Sequence, residues 1–171
     1  MVRAEFSFFH GTLPASFQSR YGLAESVERL RGATKRSAWA ARYGEAAIGR
    51  VSAESVSLHR WSLTWHNSFR PYFIGHFTPS VSGAVLVGRF TTHWINRVLF
   101  ALWFGFCLLW TLLITFHAII DRAGPWFGPL IGLGMLLFGA ALARSGMRVA
   151  REDVDWLSNV IRNALAETRV N

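Results

Sequence analysis

Three short segments of the chain share a pattern in which a basic residue follows a glycine. Each consists of a β-branched residue, glycine, a basic residue, an apolar residue and a hydroxyl residue, and the basic positions are Arg50, His76 and Arg89. Alternation of this kind is typical of β-strands with one apolar and one basic face. If the strands are neighbours, the three side chains form a basic stripe that would bind a phosphate, a nucleotide or an anionic headgroup. A solvated face beside a membrane is the competing interpretation.

Motifs of the common enzyme classes are absent from the sequence. It contains no GxSxG, Walker A, HExxH, CxxC or dinucleotide-binding glycine pattern. Glu45 and Glu54 bracket a predicted strand, but two isolated carboxylates are a weak signal for acid/base chemistry. The one cysteine, Cys107, allows neither an intramolecular disulfide nor a cysteine metal cluster. We therefore expect no enzymatic activity, no catalytic residue, no metal and no cofactor.

Two long apolar runs follow in the C-terminal half of the chain. Residues 98–120 and 123–143 contain no Asp, Glu, Lys or Arg. As helices they would extend about 34 and 31 Å, enough to cross a hydrocarbon core of roughly 30 Å. Only two residues separate them, which predicts an antiparallel transmembrane hairpin. Two buried helices of a soluble protein are the alternative, although such helices normally carry a polar face.

Basic residues flank the outer ends of this predicted hairpin, at Arg89, Arg97, Arg144, Arg148 and Arg151. In the turn, Arg122 is neutralised by Asp121. The positive-inside rule then predicts that both chain ends are cytoplasmic. Trp94 and Trp126 lie where interfacial aromatic anchors are usual. The first ten residues contain no continuous apolar segment, so we expect no cleaved signal peptide.

The second apolar run contains glycines spaced four residues apart, at Gly124, Gly128 and Gly132. Small residues at this spacing form a face on which another helix can pack closely. The first helix of the same chain is one candidate for that position. A helix of another subunit is the other, and it would make the protein an oligomer.

Residues 1–93 are predicted to form an α+β domain. The expected strands are Ala4–Phe9, 46–52, Ser55–Trp61, 70–78 and 84–92, and the expected helix is Gly22–Gly32. These elements would form a mainly antiparallel β-meander covered by one helix. A small closed barrel is the alternative, because glycines within strands often mark bends.

The segment 147–171, after a hairpin region of 94–146, is predicted to contain a C-terminal amphipathic helix over Arg151–Glu167. Val154, Leu157, Ile161 and Leu165 would form one apolar stripe along it. Its polar face is not strongly basic, which makes it a poor membrane-surface helix. We expect it to dock on the N-terminal domain or on a partner.

Four short motifs between residues 45 and 165 carry a resemblance: Asn67-Ser68-Phe69-Arg70-Pro71, Gly75-His76-Phe77, Gly88-Arg89-Phe90 and Trp103-Phe104. This pattern resembles a recurrent class of small bacterial membrane proteins with a soluble β-rich N-terminal module before two membrane helices. No function is assigned to that class. The resemblance implies a bacterial origin and a two-span topology in the inner membrane, without implying an activity.

Two functional hypotheses follow. The first is a membrane-anchored interaction module, or an accessory subunit of a membrane complex. The second is a membrane-anchored sensor or effector that binds an anionic small ligand through Arg50, His76 and Arg89. The expected partners are the lipid bilayer and either another protein or a second copy of the chain, bound through the transmembrane helices. No nucleic-acid duplex is expected as a partner.

Overall fold

The computed structural model describes residues 12–35, 44–62, 70–121 and 127–166. In chain order the elements are β1 (Thr12–Ser19), α1 (Leu23–Ala33), β2 (Ala46–Val51), β3 (Val56–Trp61), β4 (Tyr72–Ser80), β5 (Gly83–Thr91), α2 (Trp94–Asp121) and α3 (Gly128–Leu165). They fall into two compact units. The sheet unit contains the five strands, α1 and the part of α3 from Val149 onward; the helical unit is Trp94–Arg148.

The five strands form one antiparallel sheet with the order β1-β5-β4-β3-β2. From β2 to β5 each strand pairs with the next one along the chain, so the predicted meander is confirmed. The predicted helix at Gly22–Gly32 is confirmed as α1 within a residue at each end. β1 and β2 lie at opposite edges, so the described strands form an open sheet rather than the closed barrel considered as the alternative.

The first described strand, β1, was not predicted from the sequence. The strand expected at Ala4–Phe9 lies outside the described residues. In β1 the alternate residues Leu13, Ala15 and Phe17 pack on the core, whereas Pro14 is exposed. Proline lacks the backbone N–H needed in the middle of a sheet, and an edge strand is where it is tolerated.

The hairpin of β4 and β5 is tighter than predicted. The strands run to Ser80 and from Gly83, so the turn consists of Val81 and Ser82 alone. Gly83 has a φ of +132°, and an added Cβ there would overlap the Ser19 carbonyl oxygen. Residues 79, 80 and 83, which lie between the predicted strands 70–78 and 84–92, therefore belong to the strands.

One face of the sheet is covered by helices and forms the core of the sheet unit. Phe73, Leu58 and Leu86 are fully buried there. α1 contributes Val27 and Leu30, and α3 contributes Val154, Leu157, Ile161 and Leu165. The predicted apolar stripe of the C-terminal helix is thus buried against the N-terminal sheet, the first of the two docking partners considered for it.

The helix α3 is continuous over 38 residues, about 57 Å. This differs from the expectation of a membrane helix ending near residue 143 and a separate helix beginning at 151. The intervening residues 144–150 contain no proline, and Gly146 inside a helix costs only about 1 kcal/mol relative to alanine. Nothing in this stretch therefore ends the helix. At the other end of the helical unit, α2 begins at Trp94, four residues before the predicted start.

Candidate functional site

The face of the sheet opposite the helices is exposed over much of its area and is called here the open face. Its exposed positions are Pro14, Ser16, Gln18, Arg50, Ser57, Ile74, His76, Thr78, Val87 and Arg89. The three basic residues singled out in the sequence all lie on it. This follows from the period of two along each strand, since Arg50 pairs with Ser57, and Arg89 pairs with Ile74.

The three basic residues do not converge on one point. Ser57 and Ile74 lie between Arg50 and Arg89, which are therefore three strand spacings apart, about 14 Å. His76 and Arg89 are on adjacent strands in diagonal positions. The predicted stripe required neighbouring strands; β4 and β5 are neighbours, but β3 separates β2 from them.

The charge on the open face has one sign. None of the residues of the five strands is acidic, whereas the sheet unit's described carboxylates lie in helices and connections, at Glu25, Glu28, Glu45, Glu54, Glu152, Asp153 and Asp155. Among the described residues, the side chains of Arg50, His76 and Arg89 have no hydrogen bond or ion pair. Between these basic residues lie Ile74, which is 39% exposed, and Val87, which is 40% exposed. The open face thus combines two arginines and a histidine, without side-chain partners among the described residues, with accessible apolar surface.

One end of the same face is covered. Trp61 packs on Ala46 and Ile48 to form a small separate cluster. The neighbouring His59 is half-buried; burial, and then the charge of Arg70, hold its pKa below its usual value. Trp61 therefore covers this cluster.

Arg60 behaves differently from the basic residues of the open face. It continues the core face of β3, where its Nη1 donates to Asp153 Oδ1 at 2.9 Å and its Nη2 to Glu45. The guanidinium also lies 5.1 Å from the Trp156 ring centre. Asp153 lies in the sheet unit, beyond the apolar part of α3. Burial raises the pKa of its carboxyl group, although Arg60 opposes the shift. Arg60 therefore joins the sheet to α3, a role that the sequence analysis missed.

A groove lies where the end of α1 meets the edge strand β2. Its volume is about 470 Å³, and among the described residues it is lined by Arg31, Thr34, Gly49, Arg50 and Val51. The sequence does not predict this groove, because Arg31 and Arg50 belong to different elements. Elsewhere in the described part of the chain, no group of three His, Cys, Asp or Glu side chains could hold a metal ion.

In the helical unit the predicted glycine face packs on α2 of the same chain. A Cβ at Gly128 would overlap Ile114, and one at Gly132 would overlap Thr111. At Gly139 an added Cβ would lie 2.9 Å from Trp103 Nε1, so the contacts run in opposite order along the two helices, which are antiparallel. Trp94 is exposed at the start of α2. Gly124 and Trp126 lie outside the described residues.

Both helices of this unit are long and apolar enough to cross a membrane. Their outward side chains are exposed; Phe116 is 66% and Ile119 is 71% accessible. A core helix of a soluble protein would bury most of such residues. Comparison with protein-family models, curated proteins and solved structures gives no match to this chain.

Proposed function

We propose that this protein is a two-span membrane protein that acts as a membrane-anchored interaction module or accessory subunit of a membrane complex. The two apolar helices supply the anchor. The basic flanks, from Arg97 on one side and Arg144 on the other, favour cytoplasmic chain ends. The motif resemblance favours the bacterial inner membrane as the location.

The observation that carries the interaction proposal is the open face. Its basic side chains lie around accessible apolar side chains, and the described residues of this face include no carboxylate to repel an acidic partner. A protein surface with acidic residues around an apolar centre would complement it, and complementary charge both orients and accelerates docking. The 14 Å between Arg50 and Arg89 favours such an extended partner over one small anion held by the whole stripe.

The packing of the glycine face also bears on the partner. Since Gly128 and Gly132 already contact α2, that face is occupied within one chain. A second copy would have to associate through a different helix surface. We therefore place the main partner-binding surface on the sheet unit.

The anchor is tested with reporter fusions in bacterial cells. A reporter active only in the cytoplasm is expected to work at either chain end, and one active only outside is expected to work when inserted within residues 122–126. The protein should stay with the membrane pellet after alkaline carbonate extraction. Release into the supernatant would contradict the anchor, and an active external reporter at a chain end would contradict the orientation.

The interaction surface is tested with a photo-crosslinking amino acid at Val87, in membranes of the source cells. The control site is Val81, which is fully exposed in the β4–β5 turn. We expect a discrete protein adduct at Val87 that weakens when Arg89→Glu is added and when salt is raised. Equal adducts at both sites, or an adduct indifferent to Arg89→Glu, would contradict an electrostatic docking face.

A further inference from the structure

The groove between α1 and β2 brings together two arginines from different elements. Arg31 is in the last turn of α1, and Arg50 is on the edge strand β2. Both line the groove together with Thr34. A volume of about 470 Å³ lies within the range usual for small-molecule sites, roughly 300–1,000 Å³.

The Arg31 side chain is held in place within the groove wall. Its Nη2 donates to the Val51 carbonyl oxygen at 3.2 Å, and its Nη1 donates to Glu28. A guanidinium has five N–H donors in a fixed plane, so these two bonds orient the group and leave others for a ligand. Ordering before binding reduces the entropy that a ligand would otherwise have to offset.

Arg50 supplies a charge that nothing in the described residues compensates. It is exposed and has no hydrogen bond or ion pair there. Lys35 adds a third cation nearby, because its backbone N–H and C=O bond to Ala47 and Gly49 of β2. The exposed Glu28 offsets one of these three charges, so this local cluster remains positive.

The end of α1 does not oppose an anion as strongly as a bare helix C-terminus would. Such an end carries partial negative charge on unpaired carbonyls. Here the Arg31 carbonyl accepts from the Thr34 N–H at 3.2 Å and from the Thr34 hydroxyl at 3.1 Å. The Arg31 carbonyl at this end of the helix is therefore already bonded.

We propose that this groove binds a phosphate group, with Arg31 at the end of α1 and Arg50 on the edge strand as its ligands. Planar guanidinium groups match phosphate oxygens and form short, charge-assisted hydrogen bonds. The phosphate belongs either to a soluble metabolite or to a lipid headgroup. This site is separate from the docking role of the open face, although Arg50 borders both.

The test uses the full chain in detergent, with two probes. Calorimetry measures the binding of inorganic pyrophosphate, and native mass spectrometry measures retention of phosphatidylglycerol relative to phosphatidylcholine. We expect one probe to bind, and both Arg50→Ala and Arg31→Gln to weaken it about tenfold, the loss of one charge-assisted hydrogen bond. Pyrophosphate binding identifies a soluble ligand, and selective phosphatidylglycerol retention identifies a headgroup.

Arg89→Ala is the matched control, since Arg89 is also an exposed strand arginine without a partner among the described residues but lies three strands from the groove. It should bind the probe like the wild type. Arg31 also hydrogen-bonds the Val51 carbonyl, so the probe binding of Arg31→Gln is interpreted only if its melting temperature equals that of the wild type. Arg50→Ala removes a side chain that makes no such structural contact among the described residues. If neither probe binds, or if Arg89→Ala weakens binding as much as Arg50→Ala, the proposal is overturned. Neither outcome affects the adduct at Val87, so the two proposals fail independently.

Discussion

At the scale of single residues, Arg60 and Arg89 show how one side-chain type takes opposite roles. Both lie in strands, and both have apolar residues two positions away. Arg60 is on the core face and is bonded to Asp153 and Glu45; Arg89 is on the open face without a partner among the described residues. A buried ion pair becomes costly when one member is removed, whereas an exposed arginine contributes little to stability.

Replacing Arg60 by alanine should therefore lower the free energy of unfolding by about 2 kcal/mol, because Asp153 would stay largely buried without its main partner. Arg89→Ala should change it by less than about 0.5 kcal/mol. Urea titration of the detergent-solubilised chain, followed by circular dichroism, measures both. Similar losses for the two variants would show that the Arg60 contacts do not stabilise the sheet unit.

His59 should make stability depend on pH near neutrality. Burial and Arg70 keep its pKa below the ordinary 6.5, so the folded state binds a proton less readily than the unfolded state. The contribution of neutral His59 to the free energy of unfolding is therefore complete above pH 6.5. It is lost as pH falls through 6.5 toward the folded-state pKa, with a slope of at most about 1.4 kcal/mol per pH unit. In urea titrations between pH 8 and pH 5, His59→Gln should lose less stability than the wild type. Parallel curves would refute the assignment.

At the scale of elements, the glycines of α3 divide into two kinds. Gly128 and Gly132 touch α2, whereas nothing lies within 4 Å of a Cβ added at Gly134. The sequence pattern predicted a packing face but left its occupant open. The contacts of Gly128 with Ile114 and of Gly132 with Thr111 identify the occupant as α2 of the same chain.

Gly132→Ala should consequently loosen the helical unit, because the added methyl group requires Thr111 to move. Over-packing of this kind typically costs about 1–3 kcal/mol. Gly134→Ala, two residues away on the same helix, is the control and should be neutral or slightly stabilising. Thermal aggregation in mild detergent compares the two. A Gly132→Ala protein as heat-resistant as Gly134→Ala would argue against the α2 contact.

At the scale of the whole molecule, the sheet unit is assembled from two separate stretches of the chain. Residues before His93 provide the strands and α1, and residues after Val149 provide one wall of the core. Leu157 and Ile161 are almost completely buried in that wall. The division into 1–93, 94–146 and 147–171 predicted from the sequence therefore cuts across one hydrophobic core.

A fragment of residues 1–93 alone should accordingly fail to fold, because the core would be exposed where α3 normally lies. Joining residue 93 to residue 149 by a long Gly/Ser linker should restore a folded protein in the absence of the membrane helices. Amide dispersion in NMR spectra distinguishes the two. The same fusion with Leu157→Asp is the control and should remain unfolded, since a charge in this core has no partner. A well-dispersed spectrum from 1–93 alone would contradict the shared core.

Local pattern was sufficient for the elements whose period is strong. The apolar runs located α2 within four residues and placed the first part of α3, and alternation located β2 to β5 within a few residues. It failed for β1, where Pro14 and short polar residues hide the apolar positions. It also failed between residues 143 and 151, where a loss of hydrophobicity suggested a break but the backbone remains helical.

The sequence by itself therefore determined the α+β class, the two candidate membrane spans and the side of each strand that carries Arg50, His76 and Arg89, because these depend on periodicity within one element. Only the tertiary structure decided the rest. Strand order separates Arg50 from Arg89, and packing of α1 on the sheet edge brings Arg31 to Arg50 instead. Such neighbours depend on which elements pair, and pairing is set by long-range contacts that leave no local signal in the sequence.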